Sequence, residues 1–145
     1  MNTPVLRIEK RINAEPARLF RAWLEPKDFS RWFFSGLELG KVTLDPRPGG
    51  KFRIEMISGG TILPHEGQYQ TIDEPSKIVF TWNSHATGGK DTLVTITFSP
   101  TSDSPEGKPA TLITLVHERL ADTTSVEKHT GGWSRILDGL EQWMG

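Results

Sequence analysis

From Lys51 to Glu118, apolar side chains recur at alternate positions in one segment after another. The pattern then changes to a helical period that carries Trp133, Ile136, Leu137, Leu140 and Trp143. A period of two places alternate side chains on one face of a strand, whereas a period near 3.6 gives a helix one apolar stripe. The chain is therefore expected to fold as a run of strands followed by one long amphipathic helix. Strands joined by short turns are antiparallel, and such a sheet can bury one face while the other meets water. A helix laid across the buried face of a curved sheet encloses either a solid core or a pocket.

The rest of the chain fits that plan. Val5 to Ile12 reads as a first strand, with Leu6, Ile8, Lys10 and Ile12 on one face and Arg7, Glu9 and Arg11 on the other. Asn13 and Pro16 open a short helix bearing Leu19, Phe20 and Trp23, and Pro26 opens a second bearing Phe29, Trp32 and Phe33. Leu39 to Leu44 is expected as a strand, followed by a turn at Asp45-Pro46-Arg47-Pro48-Gly49-Gly50. Phe52, Ile54 and Met56 share the next strand face. Ser58-Gly59-Gly60 signals a hairpin, and Thr61 to Ile72 forms a long strand bent at Pro64 or Gly67. Beyond the turn at Asp73-Glu74-Pro75-Ser76, two strands alternate as Ile78, Phe80, Trp82 and as Val94, Ile96, Phe98. Thr101 to Lys108 reads as a mobile loop, and Ala110 to Glu118 as the last strand with Ile113, Leu115 and His117 on one face. Thr124-Ser125-Val126-Glu127 has the form of a capping box and sets the expected start of the long helix. Gly131, Gly132 and Gly139 each weaken that helix by up to about 1 kcal/mol relative to alanine, which points to close packing or a kink.

Composition narrows the chemistry. With 145 residues the chain is expected to form one domain over 1–145 and to have a core large enough to need no staples. The absence of cysteine excludes disulfides, thiolate metal sites and a cysteine nucleophile, and suits a reducing cytoplasm. A net charge of -1 with interspersed signs gives no basic field for nucleic acid. Neither a membrane span nor a secretory leader is expected. The histidines at 65, 85, 117 and 129 lack the spacing of a helical zinc site, so no metal is expected. Nucleophile elbows, phosphate loops and dinucleotide glycine fingerprints are missing too, and no cofactor is expected.

Polar residues that could do chemistry are few. His65 and Glu66 are strand neighbours, so only one of them faces the interior: His65 together with Gly67 and Tyr69, or Glu66, which is the better base. His117 falls on the apolar face, as a hydrogen-bonded core residue or as a general base with an unperturbed pKa of about 6.5. A ligand pocket is expected to take Phe52 and Met56 from one strand, His65 and Tyr69 from the next, Phe80 and Trp82 from the one after, and His117 from the last. Trp32 of the second short helix and Trp133, Ile136, Leu137 and Leu140 of the long helix would complete it.

Seven short motifs occur in order along essentially the whole chain. They are Ala22-Trp23-Leu24-Glu25-Pro26, Arg47-Pro48-Gly49-Gly50-Lys51-Phe52, Gly67-Gln68-Tyr69, Ile72-Asp73-Glu74-Pro75, Phe80-Thr81-Trp82, Leu115-Val116-His117 and Gly132-Trp133. Together they resemble the single-domain homologues of the activator of the Hsp90 ATPase, within the helix-grip superfamily of lipid-transfer domains, polyketide cyclases and the birch-pollen allergen. The resemblance implies an α+β helix-grip fold: a curved antiparallel sheet of about six to seven strands, two short helices after the first strand, and a long C-terminal helix across the sheet. One scaffold hosts several functions in this superfamily. The preferred expectation is a monomeric binder of a small hydrophobic or aromatic ligand. The alternatives are an enzyme of the cyclase, dehydratase or hydrolase kind with His65, Glu66 or His117 moving protons, and a module with a protein partner such as a chaperone. The additional N-terminal domain of the eukaryotic chaperone activators is not expected here.

Overall fold

The alternating segments become one antiparallel sheet in the computed structural model, which describes residues 4–34, 37–38, 40–101 and 107–144. The chain runs through β1 (Leu6–Ile12), α1 (Pro16–Leu24), α2 (Pro26–Trp32), β2 (Val42–Leu44), β3 (Lys51–Ser58), β4 (Thr61–Asp73), β5 (Lys77–Trp82), β6 (Thr92–Thr101), β7 (Ala110–Glu118) and α3 (Thr123–Met144), with a 3-10 turn at His85–Thr87. The seven strands lie side by side in the order β1-β7-β6-β5-β4-β3-β2. From β3 onward each strand pairs with its predecessor, and β1 closes against β7, so α1 and α2 carry the chain from one sheet edge to the other. This is an α+β helix-grip arrangement, with α3 on the same face as the short helices.

Local chemistry explains the joints. Both short helices begin at a proline, whose fixed φ suits a first helical turn. Glu25, in extended backbone, ends α1 and starts α2, which sets the two helices in a V. Strand β4 pairs with β3 through Gln68 and with β5 from Tyr69, with a register shift between Tyr69 and Thr71. The irregularity therefore falls beyond Pro64 and Gly67, where the sequence suggests a bend. Gly67 answers a different need. A Cβ there would lie 1.9 Å from the Thr81 carbonyl oxygen and 2.5 Å from the Phe52 ring, so only glycine permits this approach.

Two further expectations change, and a third falls largely outside the described residues. Of the strand expected over 39–44, Val42–Leu44 forms, Gly40 and Lys41 precede it without regular structure, and Leu39 lies outside the described residues. Most of the expected loop, 102–106, also lies outside them. The start of α3 is capped by Asp122, whose Oδ1 accepts the Ser125 N–H at 2.8 Å, and Thr124 sits inside the first turn. A carboxylate at this place satisfies an orphan donor and complements the helix dipole.

The core lies between the sheet and the three helices. Leu19 and Phe20 of α1, Phe29 and Trp32 of α2, and Ile136, Leu137 and Leu140 of α3 are buried against Val94, Ile96, Phe98, Ile113 and Leu115 of the sheet. Lys10, on the inner face of β1, sends its ammonium out to Asp138 at 2.8 Å and Glu141 at 3.1 Å, strapping α3 to the sheet edge. Gly139 lies on the buried side of α3. Gly131 and Gly132 are not explained by packing: a Cβ at either would meet nothing within 4 Å. Among the described residues no helix is long and apolar enough to cross a membrane.

Candidate ligand-binding site

The V of α1 and α2 drops four large rings into the space that the sheet and α3 enclose. Phe29 stacks on Phe33 at 4.4 Å, Trp23 meets Trp32 edge-on at 4.8 Å, and Trp82 of β5 meets Trp133 of α3 at 5.0 Å between ring centroids. Phe52, Tyr69 and Phe80 extend the cluster across the sheet, with Phe52 and Phe80 5.4 Å apart. The apolar void left among these rings is about 20 Å³, room for about one water molecule. Phe52, Tyr69, Phe80, Trp82 and Trp133 thus converge on one space and largely fill it themselves. Trp23, which also lines it, has an indole N–H with no hydrogen-bond partner. Burial first, then the charge of Asp45, raises the Tyr69 phenol above its usual pKa, so it is neutral. Trp32, Leu137 and Leu140 are core residues outside this void, and the Trp32 indole donates to the Ala22 carbonyl at 3.1 Å.

His117 is fully buried and fully bonded. The Trp133 indole can only donate, so the 3.0 Å contact makes His117 Nδ1 the acceptor. His117 Nε2 must then carry the proton and donate to Thr92 Oγ1 at 2.6 Å, while that hydroxyl donates to the Trp82 carbonyl at 2.6 Å. This one-way relay ties α3, β7, β6 and β5 together and leaves His117 no nitrogen for a ligand. Burial, with a smaller contribution from His129, pushes its pKa down to about 3. As a general base for a bound molecule, His117 has neither access nor proton affinity.

Open space lies instead beside the first half of α3. A groove of about 140 Å³ runs between that helix, the β3–β4 hairpin and the 3-10 turn, lined by Met56, His65, Trp82, Ala86, Lys128, His129, Gly132, Trp133, Arg135 and Ile136. The Trp82–Trp133 pair stands between this groove and the inner void, since both residues line both spaces. A backbone carbonyl can only accept, so His65 Nδ1–H donates to Leu63 at 3.0 Å and His129 Nδ1–H donates to Ser125 at 2.8 Å. In the neutral form of the His65 ring the remaining nitrogen, Nε2, carries a lone pair. Burial lowers the His65 pKa, which favours that neutral form, and its ring packs on Trp82 at 5.1 Å. Partial burial also lowers the Arg135 pKa from its usual value.

Glu66 lies on the opposite face of β4. It is exposed, paired with Arg53 by a hydrogen-bonded ion pair, and bridged through its backbone to Asn83. Of the three candidates for proton chemistry, His65 lines the groove and Glu66 and His117 do not. His129, Lys128, Gly132 and Arg135 are groove residues that the apolar stripe conceals. Their signal was the spacing itself, because Lys128, Gly132 and Arg135 fall one helical turn apart beside that stripe.

A long C-terminal helix gripped by a seven-stranded antiparallel sheet, with space at one end of the helix, defines the helix-grip class. Within it, the family model for Activator of Hsp90 ATPase homolog 1-like proteins matches residues 13–145, and the chain belongs to that family. A protein of Chromobacterium violaceum of solved structure is similar to it at 25% identity over 98% of this chain and 96% of that one, with a TM-score of 0.82. An uncharacterised protein of Rhizobium leguminosarum is 26% identical over 97% and 93% of the two chains, with a TM-score of 0.69. CalU16 of Micromonospora echinospora shares the fold at 24% identity, a TM-score of 0.70, and coverage of 97% of this chain and 76% of its own. None of the curated proteins matches the chain.

Proposed function

We propose that this chain acts as a single small-molecule-binding domain whose apolar or aromatic ligand lies in the groove beside the first half of α3. The observation behind this reading is Gly132: a residue in mid-helix that costs about 1 kcal/mol relative to alanine, borders the groove, and has open space where a side chain would be. Met56, Trp82, Trp133 and Ile136 supply apolar walls, and His65 and His129 supply the few fixed polar groups that such sites need. A catalytic version of the reading would use His65 as its proton acceptor, and neither version calls for a cofactor. An amide NMR titration against pooled aromatic and lipid-like metabolites tests the proposal. Saturable shifts at Met56, His65, Ala86 and Gly132 are expected. Shifts confined to other parts of the sheet, or none that saturate, overturn it.

A further inference from the structure

We propose that the groove selects small aromatic carboxylic acids, with the carboxylate at the rim between Lys128 and Arg135 and the ring against Met56, Trp82 and Trp133. This deepens the reading above and rests on the groove being the ligand site. Charge is the first argument. The ionisable residues lining the groove are His65, Lys128, His129 and Arg135, and no carboxylate lines it. Lys128 stands one helical turn before Gly132 and Arg135 one turn after, so two cations flank the gap that the missing side chain leaves. The neighbours of Lys128 along α3 at three and four residues are Thr124, Ser125, Gly131 and Gly132, none of them acidic. Among the described residues Lys128 makes no ion pair, unlike Lys10 on the same side of the sheet.

Size is the second argument. A dry cavity of about 150 Å³ takes a benzene-sized molecule, and the groove offers about 140 Å³. One ring fits, and a substituent must project to the opening. Orientation is the third. His65 Nδ1 is committed to the Leu63 carbonyl and burial keeps its ring neutral, so it offers only a lone pair at Nε2, while the Trp82 and Trp133 ring faces are electron-rich. A carboxylate is repelled by all of these and attracted by the two cations at the rim. The interior therefore takes the ring, and the rim takes the charge.

Titrating the full chain with benzoate and with benzamide, its neutral isostere, tests this, using amide NMR at low and at high salt. Benzoate is expected to bind about tenfold more tightly at low salt, the worth of one charge-assisted hydrogen bond, and to lose most of that advantage as salt is raised. The double substitution Lys128→Gln with Arg135→Gln should abolish the difference between the two probes. Equal binding of both probes to the native chain overturns the preference for acids and leaves the groove as the site. Undiminished benzoate binding by the double variant overturns the role of the two rim cations. Binding of neither probe in the groove overturns the preference and the site together.

Discussion

The two halves of α3 meet the same sheet with opposite results. Along the second half, Leu137 and Leu140 are buried and line neither the void nor the groove, and Lys10 holds the helix edge through Asp138 and Glu141. Along the first half, His129 bonds back to its own helix, Gly131 and Gly132 carry no side chain, and a groove of about 140 Å³ remains. Trp133 is the boundary. A grip fold offers space under its helix, and this chain spends that space on aromatic rings inside while keeping it open at one end. The lesson is that room for a ligand here depends less on the fold than on which helix positions are small.

Removing the boundary should have the largest effect. Trp133→Ala deletes a buried indole, joins the 20 Å³ void to the groove and leaves His117 Nδ1 without its donor. A loss of about 3 to 5 kcal/mol in unfolding free energy is expected in urea titration. A loss under about 1 kcal/mol would mean that the partition is not built as described.

Acid should break the inner half next. His117 has a pKa of about 3 in the folded chain, against about 6.5 when unfolded. The unfolded chain therefore binds the extra proton first, and stability that is complete above pH 6.5 declines as pH falls toward 3. The slope approaches about 1.4 kcal/mol per pH unit, so unfolding at pH 5 should be easier than at pH 7.5 by about 2 kcal/mol from this residue. The lowered pKa of His65 acts in the same direction. Equal stability at the two pH values would show that His117 is not held neutral by the relay through Thr92 and Trp133.

The outer half responds to substitution at Gly132. Gly132→Ala should stabilise the chain by about 1 kcal/mol, because the helix gains propensity and the new methyl meets no atom. Gly132→Leu should keep most of that gain in thermal unfolding while filling the groove, so that ligand titration no longer saturates. If the leucine variant binds as the native chain does, the ligand lies elsewhere.

How much of this was readable beforehand follows from the kind of signal each feature leaves. Ile78, Phe80 and Trp82, or Val94, Ile96 and Phe98, alternate because one strand face is buried, and that pattern is local. Strand geometry likewise puts one of His65 and Glu66 inside and one outside, since neighbours on a strand diverge. Thr124 and Glu127 satisfy a capping motif that points to the wrong N-cap, because Asp122, two residues earlier, caps the helix with a full charge. Whether rings from α1, α2 and three strands interdigitate or leave a cavity depends on contacts between distant segments, and no periodicity records it. His129 illustrates the limit: it is buried one helical turn before Trp133, yet it also lines the groove.

The smallest expected effect is also the sharpest comparison of the two faces of β4. Glu66 and His65 are adjacent, but Glu66 is exposed in an ion pair with Arg53 and His65 lines the groove. An exposed pair contributes at most about 1 kcal/mol, so Glu66→Gln should shift the unfolding midpoint little and leave ligand affinity unchanged. His65→Gln keeps a polar side chain but loses the ring that packs on Trp82 and the Nε2 lone pair beside the ligand. Weaker binding in the histidine variant with unchanged binding in the glutamine-for-glutamate variant would place recognition on the inner face of β4. The reverse outcome would move it to the outer face, where Arg53 and Glu66 sit, and the groove beside α3 would lose its claim.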